Sequence, residues 1–177
     1  MQVGHHPPRA EQPVWLDEAR LRIALTAYAA EVGLDLVWPR IFFVYGPGEH
    51  PSRLVAAVID ALLGGRAAEI SHGNQMRDYL HVDDVASGIV ASLESGHSGP
   101  IDICSGEATS LKDIVREIGQ QLGREDLIRL GARPTSDDEV PLLVGDPLPL
   151  KKIGWLQRFQ IKEGLANTIA SARSQLG

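Results

Sequence analysis

The sequence predicts an α/β fold, and three observations predict it. Apolar runs rich in β-branched and aromatic residues, LDLVWPRIFFVYG (34–46) and PIDICSG (100–106), end in glycine turns as buried strands do. Between and around them lie stretches of helical period, such as SRLVAAVIDALL (52–63). The composition is that of a globular protein: of 177 residues, 44% are hydrophobic and 23% charged. Strands that alternate with helices bury both kinds of apolar face in layers, which is the α/β solution.

Residues 17–32 (DEARLRIALTAYAAEV) read as a helix, with Asp17 and Glu18 suited to its positive start and Gly33 to its stop. Residues 1–16, polar and proline-rich at their start, read as a disordered lead-in to a folded unit over 17–177. The run 34–46 reads as a buried strand, and Pro39 points to an irregularity or an edge position. The helix over 52–63 is closed by Gly64-Gly65, and AEISHG (68–73) is a short strand. RDYLHV (77–82) reads as extended. Asp83 or Asp84 then caps a helix through Leu93, with Val85, Ile89, Val90 and Leu93 on its packed face. After PIDICSG, Ser110 and Asp113 resemble a capping box, and Leu111, Ile114, Val115, Ile118 and Leu122 keep helical period. LIRLG (127–131) is a strand candidate, 132–149 a loop around Asp137-Asp138-Glu139, and Ile161, Leu165, Ile169 and Ala172 mark a last amphipathic helix. The sequence thus opens on a helix and a strand, as if partway through a βαβ series.

Charge and cysteine usage exclude several roles. A net charge of −6 argues against general binding to nucleic acid or to anionic membranes, both of which need a basic face. The one cysteine, Cys104, cannot form an internal disulfide, so a reducing, cytoplasmic setting is expected. No apolar run has the length of a membrane span, and the first residues lack the apolar core of a signal peptide.

The common catalytic patterns are missing. The nearest approach to a dinucleotide fingerprint, Gly46-Pro47-Gly48, runs into Glu49, His50 and Pro51, which do not resemble a pyrophosphate cradle. His72, His81, Asp83 and Asp84 are not expected to bind a metal, because the aspartates serve a helix start and alternation sets the histidines on no common face. Cys104 lies inside an apolar strand, which suits packing rather than nucleophilic attack. Ser105 and Ser110 sit in no nucleophile elbow.

Four segments in order carry a resemblance. RIFFVYGPG (40–48) resembles the R-x-F-N-V-Y-G-P strand and turn of the extended short-chain dehydrogenase/reductases, which are nucleotide-sugar epimerases, dehydratases and reductases. RDYLHVDDVA (77–86) is similar to that family's R-D-Y-I-H-V-D-D-V-A signature. PIDICSGEATSLKDIVREIGQQLG (100–123) resembles its N-I-G-S-G-E stretch, and LKKIGW (150–155) its late K-x-x-x-L-G-W turn. The resemblance covers the family's C-terminal half, from about residue 17 onward. It implies the C-terminal part of a Rossmann-like fold merged with a small substrate-binding lobe.

The resemblance also implies which residues act. Arg77 matches the arginine that contacts the nucleotide diphosphate in relatives, a task suited to the forked, charge-assisted donors of a guanidinium. The competing structural reading pairs it with Asp78 or a helix-capping acid. Arg53 falls where relatives form the substrate pocket, or else is a solvated first-turn residue. Arg133 and Glu139 fall where relatives carry an arginine and an acid that reach the nucleotide, or else belong to a solvated loop. Tyr45 shapes the turn beside the pocket. Phe43 departs from the family's usual asparagine. The family's Tyr-x-x-x-Lys pair falls on Val14 and Glu18, so no catalytic residue is expected here. NAD or NADP is the family's cofactor, but the chain by itself is not expected to hold it. The expected function is the nucleotide-sugar-binding portion of an NAD(P)-dependent epimerase, dehydratase or reductase, inactive alone. Its expected partners are a nucleotide diphosphate sugar and either a second copy or a complementary N-terminal half. The alternative is a non-catalytic nucleotide-sugar-binding or protein-interaction module.

Overall fold

The computed structural model describes residues 14–135 and 139–175, so residues 1–13 of the expected lead-in (1–16) and the pair Asp137-Asp138 lie outside the described residues, while residues 14–16 belong to a helix. Helix α1 spans Val14–Val32 and ends at Gly33, whose φ of 70° requires glycine. It begins three residues before Asp17, directly after Pro13, which suits a helix entry. The next apolar run divides at Phe42 into strands β1 (Val37–Ile41) and β2 (Phe43–Tyr45). Helix α2 (Leu54–Leu63) follows, then the two-residue strands β3 (Ala68–Glu69) and β4 (Met76–Arg77), and then β5 (Tyr79–His81). Helix α3 (Val82–Glu94) leads to β6 (Gly99–Ile103), β7 (Thr109–Ser110) and helix α4 (Leu111–Leu122). The chain continues through β8 (Ile128–Arg129), β9 (Leu142–Leu143) and helices α5 (Leu148–Lys152) and α6 (Ile161–Ser174).

The pairing is largely parallel, as an α/β chain requires. β1 runs parallel to β6 from Val37↔Gly99 to Ile41↔Ile103, and β2 runs parallel to β5. β3 pairs with β8, and β4 lies between antiparallel β7 and parallel β9. The Gly99 N–H donates to the Leu36 carbonyl at 2.7 Å, which turns the even-numbered residues of β1 toward β6. The nitrogen of Pro39, which has no hydrogen to donate, therefore faces the other edge. Among the described residues β1 has no strand on that edge, which is where a proline can sit.

Two apolar clusters result. One joins α2, α4 and α6 through Val55, Ile59, Leu62, Ile114, Ile118, Leu165 and Ile169, with Tyr45 and Tyr79 beneath them. The other lies against β6 and α3 and holds Leu80, Val85, Ile101, Ile103, Leu150 and Trp155.

Four expectations need correction. The cap of α3 is His81, whose Nδ1 accepts from the Asp83 N–H, and not Asp83 or Asp84. The packed face of α3 runs through Val85, Gly88, Ile89 and Ser92, while Val90 and Leu93 are 51% and 64% exposed, a turn of about 100° away. The loop over 132–149 contains β9, a strand too short to show period 2, formed because β4 offers it a ladder. The strand over 34–46 is also less buried than its composition suggests, with Arg40 and Ile41 exposed on β1.

Buried carboxylates tie these pieces together. Asp78, fully buried between β4 and β5, accepts from the Ser105 N–H (2.8 Å), the Ser105 hydroxyl (2.6 Å), the Gly106 N–H (2.8 Å) and the Gly145 N–H (3.3 Å). Asp84 accepts from the Arg158 and Phe159 N–H groups, each at 2.9 Å, and holds the segment entering α6. Asp102 accepts from Arg40 and from the Asp146 N–H. Asp78→Asn puts an NH2 group where backbone donors already point. The expected loss is about 3 kcal/mol, read by urea unfolding; a loss under about 1 kcal/mol shows that the two loops are held by other contacts.

Candidate functional site

The turn after β2 shapes one end of a cleft. Gly46 packs so closely on α3 that a Cβ would lie 2.6 Å from the Val82 side chain, which leaves room only for glycine. The Glu49 N–H donates back to the Gly46 carbonyl at 3.3 Å, and the chain then turns into α2. Beside this turn lies a cleft of about 350 Å³, lined by Phe43, Val44, Glu49, Ser52, Arg53, Leu54, Arg77, Tyr79, Leu111 and Glu139. The lining combines apolar and aromatic side chains with two guanidiniums and two carboxylates. That mixture suits a ligand with an organic portion and an anionic portion.

Arg77 is the deepest cation of the cleft at 6% exposure. Its NH1 donates to the Met76 carbonyl at 2.9 Å, its NH2 donates to Glu139 Oε1 at 3.1 Å, and its guanidinium lies 5.4 Å from the centre of the Phe43 ring. The structure thus gives Arg77 a carboxylate partner, but it is Glu139, because Asp78 faces the opposite way into its own ring of donors. Gln75 completes the group by donating from Nε2 to Glu139 Oε2 at 2.7 Å.

The fold brings Arg53, Arg77 and Glu139 to the cleft and leaves the other two sequence candidates off it. Arg133 lies on an exposed segment whose N–H donates to the Ile70 carbonyl, and it does not line the cleft. Tyr45 is buried behind the wall, 6.2 Å from the Tyr79 ring, with its hydroxyl against Gly164 of α6. Two further residues of the group, Gln75 and Glu49, are not among the sequence candidates. A signal for Gln75 existed, since residues 75 and 77 share a side of an extended segment. Glu49 carried none, because its role comes from a turn that folds back on α2.

Burial dominates the electrostatics. It raises the pKa of Tyr79, helped by Glu49 and opposed by Arg77 and Arg53, so the phenol stays protonated. Tyr45 is raised in the same way by burial and then by Asp84 and Glu163. The Cys104 thiol is pushed up to about 12 by burial and by Asp78 and Asp102, which makes it unreactive. Glu49 is raised by burial against the opposing pull of the Ala56 N–H (3.0 Å) and Arg53.

The model of the NAD dependent epimerase/dehydratase family matches residues 19–104. Those residues belong to that family. Among curated relatives, CDP-abequose synthase of Salmonella typhimurium is 28% identical over 145 residues, 78% of this chain and 48% of that enzyme. UDP-glucuronic acid decarboxylase 1 of Xenopus tropicalis is 29% identical over 181 residues, 98% of this chain and 42% of that enzyme. Among solved structures, UDP-glucose 4-epimerase of Thermotoga maritima with UDP-glucose superposes with a TM-score of 0.83 at 26% identity, over 90% of this chain and 52% of that one. UDP-glucose 4-epimerase of Thermus thermophilus with NAD gives 0.81 at 25% identity, over 94% and 56%. The chain therefore shares the Rossmann-like fold of these solved structures, and it spans about half the length, or less, of the curated relatives it matches.

The Gly46–Gly48 turn is closed on itself by the Glu49 N–H, and Gly46 is committed to packing on Val82, so this turn offers no cradle for a pyrophosphate.

Glu49 supplies a pH test. Its raised pKa means that the folded protein takes up this proton more readily than the unfolded chain. Its penalty is therefore fullest above the folded pKa and fades as pH falls toward the unfolded value of about 4.3. Glu49→Gln keeps an acceptor for the Ala56 N–H and removes the charge. Urea unfolding is expected to show a stability advantage of the variant over wild type at neutral pH that shrinks as the pH is lowered toward about 4. A difference constant with pH excludes this role for the carboxylate.

Proposed function

We propose that the chain is the nucleotide-sugar-binding portion of an NAD(P)-dependent nucleotide-sugar epimerase, dehydratase or reductase. The observation that carries this reading is the cleft itself: a buried guanidinium at its foot, a second at its mouth, and an aromatic wall beside them. Arg77 is the residue that meets a diphosphate, Arg53 adds an exposed charge, and Phe43, Tyr79 and Leu54 face the organic part of the ligand. Relatives whose names include CDP-, UDP- and dTDP-linked sugars, and one solved with UDP-glucose, support the ligand class.

The chemistry falls outside this chain. Val14 and Glu18 stand where the Tyr-x-x-x-Lys pair is expected, and neither can move a proton at a sugar hydroxyl as a tyrosine beside a lysine does. The cofactor, NAD or NADP, is then held by residues other than those described, from a complementary half. The same positions favour a second reading, a non-catalytic nucleotide-sugar-binding module. Addition of a polypeptide carrying the glycine-rich half separates the two, since turnover arises only under the first.

A complementary half or a second copy also has a place to bind. Leu21, Leu25, Tyr28 and Val32 follow one another at spacings of four, three and four on α1, all exposed, and β1 has an open edge. Sedimentation of the purified chain is expected to show self-association. A monomer at high concentration contradicts it.

The isolated chain is expected to bind UDP-sugars without turning them over. Charge-assisted hydrogen bonds contribute about 1.5–3 kcal/mol, so Arg77→Ala is expected to weaken binding roughly 10- to 150-fold, with Arg77→Lys recovering part of it. Calorimetric titration checks this. Unchanged affinity with a lowered melting temperature leaves Arg77 a structural residue, and NAD-dependent turnover by the pure chain overturns the assignment of catalysis elsewhere.

A further inference from the structure

We propose that Gln75 and Arg77 form a two-donor anion clamp, that Glu139 is its resident anion, and that a phosphate group of the ligand binds by taking the place of the Glu139 carboxylate. This deepens the nucleotide-sugar reading and rests on it.

The geometry points there on three counts. Gln75 Nε2 and Arg77 NH2 meet the two different oxygens of one carboxylate, at 2.7 and 3.1 Å, so the two donors are set to hold two oxygens of a single anionic group. A phosphate offers the same kind of oxygen pair and more negative charge. Second, the clamp is buried and its anion is not: Arg77 and Gln75 are 6% and 4% exposed, whereas the Glu139 side chain is 31% exposed. The carboxylate is the member of the group that can leave into water. Third, the carbonyl oxygen Oε1 of Gln75 is buried without a hydrogen-bond partner, so the amide leaves one acceptor unsatisfied while its NH2 end faces the anion. A glutamine that only filled space would gain by satisfying both ends.

A buried guanidinium explains the device. Stripped of water and left without a counter-ion it is strongly destabilising, so the ligand-free protein needs a carboxylate on Arg77. The ligand site is the same site, because Arg77 and Glu139 both line the cleft. Carboxylate and phosphate cannot share the clamp, since like charges repel at contact. Binding is therefore an exchange of anions, and what Glu139 gives to the unliganded fold it subtracts from ligand affinity. A purely structural ion pair has no such reciprocity.

The test is calorimetric titration of the 177-residue chain with inorganic pyrophosphate and with UDP, alongside melting curves without ligand. Glu139→Gln keeps the shape and removes the charge. It is expected to bind both probes roughly five- to a hundredfold more tightly than wild type, while melting at a lower temperature when unliganded. Gln75→Met is expected to weaken both probes. Glu139→Ala serves as the second variant and is expected to change affinity in the same direction as Glu139→Gln. Equal or weaker binding by both Glu139 variants, with wild type binding normally, overturns the exchange and leaves the nucleotide-sugar reading standing. No binding of either probe by wild type and by both Glu139 variants overturns the clamp and that reading together.

Discussion

The arrangement of the cleft depends on the carboxylate of Asp78. It lies between the two short strands β4 and β5, where its own N–H donates to the Leu143 carbonyl and its carbonyl accepts from the Phe43 N–H. Two separate loops converge on its oxygens, one after β6 and one before α5. Because residues alternate along an extended segment, fixing Asp78 to one side commits Arg77 and Tyr79 to the other. That other side is the cleft. A buried charge surrounded by aligned N–H donors tolerates little displacement, since any donor that drifts leaves it undersatisfied. The position of Arg77 is thus inherited from a neighbour that never touches ligand space.

A chain with net charge −6 can still present a local cationic site. Arg77 is supported from below by the Phe43 ring and by the Met76 carbonyl, while Arg53 caps the start of α2 without a side-chain cap bond. The acids nearby are not diffuse surface charge. Glu49 is turned toward the N–H groups of α2, and Glu139 toward Gln75 and Arg77. Each carboxylate in the cleft has a specific donor, and the field there is set by pairs at contact distance rather than by the average charge of the chain.

The opposite end of the molecule is built differently. α1 exposes four large apolar side chains in one stripe, and β1 exposes a strand edge interrupted only by Pro39. An unpaired sheet edge and an exposed apolar helix face are surfaces on which another element can pack. The matched solved structures contain nearly as much chain again beyond the aligned part. The cleft lobe, by contrast, closes its own core through α2, α4 and α6.

The features legible in the chain are local ones. Helix periodicity placed α2, α4 and α6, Ser110 placed the start of α4 through a cap that needs only its own next turn, and Gly33 placed a helix end by its left-handed backbone. The second family-like segment marked Arg77, and the stretch between the last two segments marked Glu139, as residues to watch. Tertiary structure decided what each of them meets. No period could show that His81 rather than an aspartate caps α3, that Asp84 reaches residues 158 and 159, or that β9 forms at all, because each depends on a partner distant in the chain or on the folded path of the backbone. The pairing of Arg77 with Glu139 instead of its neighbour Asp78 has the same cause. Adjacent residues of an extended chain point apart, and only the folded path of 139–143 along β4 brings the distant carboxylate to the guanidinium.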